Sequence, residues 1–278
     1  PAISAGAVMK GAEILGSVDS GTVYSPAGGT HHGQPARASG FCYFNDLVLG
    51  LLRLKDLGFR RIVYLDIDAH HGDGVQDAFA GDAGVFTISI HEERRWPFTG
   101  LMNDTEAGTA CNLPVPRGLR DSEFRLLLDE VVVPLIARYE PEVLVLQCGA
   151  DGLADDPLSR MELTNQAIWG AVTKATALAP RVLVTGGGGY NPWSVARCWS
   201  GVWATLNGHE VPDIISGQAE EVLRALTWNR AGGLNPPAHW FTTIADPPSG
   251  TAVRSEFALV VGAAYSIYVN NQDKFVCP

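Results

Sequence analysis

The sequence predicts a single α/β domain built on a mostly parallel sheet with helices on both faces. Three observations carry this expectation: short β-rich apolar runs recur from residue 22 onward, helical patterns separate them, and the apolar runs lack polar alternation. A strand covered on both faces needs apolar side chains on both, so continuous runs point to a buried parallel sheet. The intervening helices supply the crossovers that parallel strands require. With 278 residues, 46% of them hydrophobic, the chain can bury a large core without disulfides.

In chain order, a helical pattern at residues 5–15 comes first, in a chain that opens at Pro1 rather than Met, as a fragment or processed chain would. Strands are expected at 22–25, 61–66, 85–90, 142–147 and 181–185. Helices are expected near 45–57, 122–139, 164–178 and 193–206. Asn45, Ser122 and Thr164 are the N-cap candidates, because their side-chain oxygens can accept from the free N–H groups of a first helical turn. Beyond residue 207 the pattern loosens to one helix at 218–226 and proline-containing stretches at 235–237 and 246–248. The expected organisation is therefore a domain over 1–206 with residues 207–278 as an extension packed on it. The most apolar stretch, near 257–269, is interrupted by Gly262, Tyr265 and Ser266 and is too short to span a bilayer.

Thirty acidic against 20 basic residues give a formal charge of −10, which argues against unspecific binding to nucleic-acid phosphates and mildly favours cationic partners. The chain opens without a signal-peptide pattern, and Cys42, Cys111, Cys148, Cys198 and Cys277 form no C-x-x-C pair. A reducing, cytoplasmic setting is the expectation.

The unusual polar residues fall after the carboxyl ends of expected strands: His31 and His32, the segment from Asp66 to Asp73, Asp151, and Gly186 to Tyr190. Ligands bind at that edge of open α/β sheets, so segments distant in sequence should converge on one crevice. Residues two apart on an extended strand exit point the same way, which aligns Asp66, Asp68 and His70. A carboxylate and an imidazole so placed are zinc ligands, and Asp151 after a later strand supplies a third while leaving a position open. Strand-end Asp and His residues often only form turns. Three carboxylates and two histidines within eight residues are harder to satisfy that way. The adjacent His31 and His32 can present an imidazole to a metal-bound water, with Asp66 or Asp73 fixing the tautomer. The glycine run 186–189 lacks the Lys-Ser/Thr of a phosphate loop, so it is read as permitting close backbone approach while placing the Tyr190 hydroxyl against an oxyanion.

Together, Gly29-Thr-His-His32, Ala38-Ser-Gly-Phe-Cys-Tyr-Phe-Asn-Asp46, Asp66 to Asp73, Leu146-Gln-Cys-Gly-Ala-Asp151 and Gly186 to Asn191 resemble the histone deacetylase family of zinc hydrolases, with its bacterial acetoin-utilisation and acetylpolyamine-deacetylating relatives. The resemblance spans His31 to about Leu206 and implies an arginase/deacetylase-like fold. It implies zinc held by Asp68, His70 and Asp151, with Tyr190 polarising the amide carbonyl. His32 is then the general base and later acid, His31 its electrostatic partner, and Asp66 and Asp73 orient the pair. Gly40, Phe41, Trp96 and Leu158 match the walls of an acyl-lysine tunnel, Gly188 borders it and Cys42 lies near its base. A structural potassium would take Asp66, Asp68, His70, Ser89 and Ile90.

Two departures stand out. The family more often has Phe or Tyr at Trp96 and Gly at Phe98, and the typical N-terminal segment, with an Asp that grips the substrate backbone, has no counterpart. The expected activity is metal-promoted hydrolysis of acetylated lysine side chains or related acylated amines, with acetylpolyamine or another small acyl amide as alternative substrate. Expected partners are thus an acylated peptide, protein or polyamine, with no direct nucleic-acid or membrane binding, in a monomer or an oligomer. Two rivals are a two-manganese ureohydrolase, which would want further carboxylates or histidines bridging two ions whereas only Asp151 follows its strand and Asp155 and Asp156 lie farther into the loop, and an inactive acyl-lysine-binding module.

Overall fold

A computed structural model describes residues 1–270. Six parallel strands form one sheet: β1 (Gly21–Ser25), β2 (Ile62–Asp66), β3 (Val85–Glu92), β4 (Ala110–Val115), β5 (Val143–Gln147) and β6 (Arg181–Thr185), in the spatial order β1-β6-β5-β2-β3-β4. Every residue of β2, β3 and β5 is buried, the physical counterpart of their unalternating sequences. Five of these strands follow the sequence pattern; β4 does not. Its sequence, Ala-Cys-Asn-Leu-Pro-Val, carries a buried Asn112 and a Pro that a strand tolerates at an edge, which is where β4 lies.

From β2 the chain moves outward through β3 and β4, then returns to place β5 on the other side of β2. The connections that leave β2 and β5 therefore diverge above two neighbouring strand ends, and a crevice opens there. Asp66 and Gln147 are register partners at those ends, and the Ile67 N–H donates to the Gln147 carbonyl at 3.1 Å.

The helices are α1 (Ala2–Gly16), α2 (Asp46–Asp56), α3 (Asp73–Phe79), α4 (Asp121–Leu127), α5 (Val133–Tyr139), α6 (Asn165–Thr176) and α7 (Pro192–Leu206). Among the N-cap candidates Asn45 acts as one, its side chain accepting from the Val48 N–H at 3.0 Å. Ser122 does not: helix α4 begins one residue earlier and the Ser122 hydroxyl donates to the Ala252 carbonyl. Thr164 occupies the cap position of α6, but its hydroxyl goes to Asp121 at 2.7 Å, linking two helices instead. The expected helix 122–139 is α4 and α5 joined by a π-helical turn, Leu128–Val132. Helix α3 is short, and the sequence shows only the acidic cluster that opens it.

Two apolar cores flank the sheet. One gathers Val63, Leu65, Ile88, Leu144 and Leu146 with Phe124 and Val131, and the other joins Val8, Leu51, Tyr64, Val145 and Leu183. Beyond Leu206 come α8 (Gly217–Ala225), α9 (His239–Thr242) and α10 (Ser255–Ala264), the last continued by a π-helical turn, Tyr265–Val269. Trp193 of α7 stacks on Trp240 with ring centroids 5.3 Å apart, in a third apolar cluster with Ile215, Leu223 and Phe241. Buried Arg197 donates to the Thr243 carbonyl at 2.7 Å and pairs with Asp246 at 2.7 Å. Among the described residues no helix is long and apolar enough to cross a membrane. Cys42, Cys111, Cys148 and Cys198 are buried free thiols; Cys277 lies outside the described residues.

The fully buried Glu123 side chain of α4 receives two guanidinium hydrogen bonds from Arg254, each 2.7 Å. Burial alone would raise the Glu123 pKa, but the bonds from Arg254 and from the Arg254 and Arg120 N–H groups outweigh it and lower it. A carboxyl depressed in the folded state contributes stability that is present above its ordinary value and is lost as pH falls. Arg254→Ala should therefore destabilise by about 1–3 kcal/mol at pH 7, by denaturant unfolding. The deficit should shrink as pH falls below the ordinary value of 4.5. A deficit unchanged between pH 7 and 3 would contradict the role given to this pair.

Candidate active site

The loop after β1 carries His31 and His32, and the start of α2 pins it. The buried Asp46 carboxylate accepts the Gly29 and Thr30 N–H groups at 3.1 and 2.8 Å. The Asn45 amide donates to the His31 and Gly33 carbonyls at 3.0 and 3.1 Å. Rigid backbone there fixes two imidazoles whose centroids lie 3.8 Å apart.

Each imidazole has its own carboxylate. His31 Nδ1 lies 2.7 Å from Asp66 Oδ2, which also accepts the Tyr64 hydroxyl at 2.6 Å. His32 Nδ1 lies 2.7 Å from Asp73 Oδ1, which leaves Nε2 as the basic nitrogen when Nδ1 carries the proton. Burial would lower the His31 pKa, but the carboxylates of Asp66, Asp68 and Asp151 prevail and push it up to about 9. Burial, and next the charge on His31, push His32 down to about 4. The two shifts run in opposite directions, His31 toward the cation and His32 toward the neutral imidazole.

Asp68 and His70 follow β2, and Asp151 follows β5; ligand atoms of all three lie within 4.8 Å of one another, and all three residues are buried. His70 Nδ1 faces Asp151 Oδ2 at 2.9 Å and Asp68 Oδ1 at 3.2 Å. Asp68 Oδ2 accepts from Gln147 and from the Gly188 N–H, each at 2.8 Å, and Asp151 Oδ1 accepts the Ala69 N–H at 2.9 Å. Among the described residues no Lys or Arg pairs with either carboxylate.

Burying two carboxylates beside one imidazole without such a partner is costly unless a cation is held between them. The His70 pKa records that demand: burial would lower it, yet the hydrogen bonds to Asp151 and Asp68 push it up to about 10. An N/O/O donor set of this charge suits a divalent metal ion with an open position. The close approach of the glycine run has a direct reading at Gly188, where a Cβ would sit 2.1 Å from Asp151 Oδ2.

Above the cluster a pocket of about 480 Å³ is walled by Gly40, Phe41, Trp96, Phe98, Leu158 and Tyr190, with His32 and His70 toward its floor and Arg94 and Arg95 at its rim. Gly40, at φ +51°, lets the Trp96 indole lie against His32, with centroids 4.6 Å apart; a Cβ there would be 2.4 Å from the His32 ring. Half-buried Tyr190 lines the same pocket, its ring 5.9 Å from that of Phe41, and its hydroxyl has no partner among the described residues. Phe41, Arg94 and Phe98 have φ of +63°, +56° and +66°, and such non-glycine conformations cost about 1–3 kcal/mol each. Strain of this kind concentrates where side chains are aimed at a ligand.

The structure thus gathers His31, His32, Asp66, Asp68, His70, Asp73, Asp151, Gly188 and Tyr190 at one crevice, with Cys42 beside it on a second cavity that shares His32, His70 and Tyr190. Ser89 is the register partner of Asp66 across β2 and β3, and Ile90 follows it. Five contributors had no role assigned from the sequence. Gln147 buttresses Asp68 and Tyr64 buttresses Asp66. Buried Asp156 accepts the Tyr190 and Leu158 N–H groups at 2.7 and 2.8 Å, and burial followed by the charge on Asp151 pushes it up to about 7. Glu92 grips Arg95, which donates to the Leu158 carbonyl at 2.8 Å. Only Asp156-Pro157, a polar residue before a loop proline, offered a signal.

The model of the histone deacetylase domain matches residues 2–206. Putative histone deacetylase 2 of Caenorhabditis elegans is 38% identical over 218 residues, covering 77% of this chain and 43% of that protein. Histone deacetylase 8 of Xenopus tropicalis is 36% identical over 218 residues, covering 75% and 59%. The match thus spans about two fifths to three fifths of these curated relatives. A crystal structure of a deacetylase homologue from Aquifex aeolicus superposes with a TM-score of 0.83 at 34% identity, covering 94% of this chain and 72% of that one. A homologue structure complexed with SAHA gives the same TM-score at 35% identity and the same coverage.

Proposed function

The chain belongs to the histone deacetylase family, and on that premise we propose that it is a zinc-dependent deacylase hydrolysing the amide of acetylated lysine side chains or related acylated amines. One observation carries the reading: a buried Asp68–His70–Asp151 donor set opens into an apolar pocket beside a neutral histidine that is itself held by a carboxylate.

Asp68, His70 and Asp151 are the residues that would hold the ion. Zinc bound there supplies Lewis acidity toward the amide oxygen and a lowered pKa for water. His32 Nε2 takes a proton from the attacking water and returns it to the leaving amine, while Asp73 keeps the tautomer. Burial, and next the charge on His31, which pairs with Asp66, favour the neutral form of His32. The Tyr190 hydroxyl donates to the oxyanion as it forms. Gly40, Phe41, Trp96 and Leu158 exclude water from the aliphatic stem of the substrate, and Gly188 brings backbone against the metal ligands. Potassium at Asp66, Asp68, His70, Ser89 and Ile90 belongs to the same proposal, supported by the register that sets Asp66 beside Ser89.

Neither rival gains a foothold. Among the described residues the metal-capable group is Asp68, His70 and Asp151, and neither Asp155 nor Asp156 joins it as a bridging ligand for a second ion. A module that only binds acyl-lysine has no need of the His32–Asp73 pair. Zinc-loaded protein is expected to release free amine from at least one of acetyl-lysine peptides, longer acyl-lysine peptides or acetylpolyamines. Binding without release across that set would overturn the proposal in favour of a binding module.

A further inference from the structure

Taking the deacylase reading as its basis, we propose that Arg94 is a specificity-determining residue at the pocket mouth, selecting acylated lysines flanked by an acidic residue and disfavouring polycationic acylpolyamines. Among the described residues, the permanently charged side chains lining this pocket are Arg94 and Arg95, and no carboxylate lines it. Arg95 is already neutralised: Glu92 accepts its Nε and Nη2 at 2.6 and 2.9 Å, and its Nη1 goes to the Leu158 carbonyl. Arg94 is exposed and, among the described residues, has neither a hydrogen bond nor an ion pair. The rim therefore presents one uncompensated guanidinium to whatever enters.

Its backbone sits at φ +56°, in the company of Phe41 and Phe98 on the same rim. Three of the six described non-glycine residues with positive φ thus surround one opening, which marks this side chain as placed rather than incidental. The overall charge of −10 attracts cations at long range. That field is screened beyond about 8 Å at physiological salt, so within the mouth the nearest charge decides. A guanidinium there pairs bidentately with a carboxylate one or two residues from the acylated lysine. The same group repels the secondary and primary ammonium groups of a polyamine tail, a repulsive element of the kind specificity uses.

The test is a set of peptides identical except for Asp, Ser or Lys beside the modified lysine, together with an acetylpolyamine. Each peptide is made with acetyl-lysine, for amine release, and with a methyl-ketone isostere of the acetyl amide, for equilibrium binding to the zinc-loaded protein. The Asp peptide should bind about two- to fivefold more tightly than the Ser peptide, as befits an exposed ion pair, and the Lys peptide should bind more weakly. Raising the salt should compress the series. Arg94→Gln should flatten it, and Arg94→Glu should invert it and raise the rate on the acetylpolyamine. An unranked series with the parent protein, or an unchanged ranking in Arg94→Glu, would overturn the assignment. Ranked binding without amine release from any substrate would uphold Arg94 and sink the deacylase reading instead.

Discussion

Replacing His32 with Ala is expected to lower kcat by between about a hundredfold and ten-thousandfold, the range for loss of a positioned general base, while leaving the metal content intact. His32 is absent from the Asp68–His70–Asp151 donor set and touches Asp73 instead, at 2.7 Å. Its neutral form exists above a pKa pushed down to about 4 by burial and next by the charge on His31, so protonation of His32 should not limit turnover until well below the ordinary imidazole value of 6.5. His31→Ala should cost less, because it removes a charge beside the base rather than the base. Kinetics paired with metal analysis decide the matter. Loss of metal in His32→Ala would make the residue a ligand, and retained turnover would remove it from the chemistry.

Tyr190→Phe is expected to preserve fold, metal and substrate binding but to slow turnover by roughly a hundredfold to a thousandfold, the equivalent of about 2.7–4 kcal/mol for one oxyanion donor. The ring lines the pocket against Phe41, and Asp156 fixes the backbone by accepting the Tyr190 N–H at 2.7 Å. Phe keeps both features and deletes only the hydroxyl, which no described residue engages. Single-turnover rates on the best substrate should fall while its affinity holds. A Phe variant at nearly the parental rate would reduce Tyr190 to wall packing.

Much of this arrangement was legible because it is written locally. Unalternating runs announced β2, β3 and β5, and Asp68 and His70 stand two residues apart directly after one of them. The convergence of Asp151 on those two followed from strand ends sharing an edge. Long-range compensation was not legible. Gln147 and Tyr64 look like ordinary strand residues until the sheet register brings them under Asp68 and Asp66. Strand β4 was not legible because Asn112 and Pro114 break an apolar run, and the buried Asn112 amide finds its acceptors, the Gln76 side chain and the Asp104 carbonyl, only in the folded chain. The brace from Glu92 through Arg95 to Leu158 likewise exists only once two loops meet.

Titrating Zn²⁺ into metal-free protein while following amine release from an acetyl-lysine peptide tests the central claim most directly. The account predicts activity that rises linearly to a break at one equivalent per chain, and no such rise in Asp151→Ala, whose carboxylate supplies the ligand from β5. Full activity without added metal in chelator-treated protein, or a break at two equivalents of catalytic metal, would contradict it.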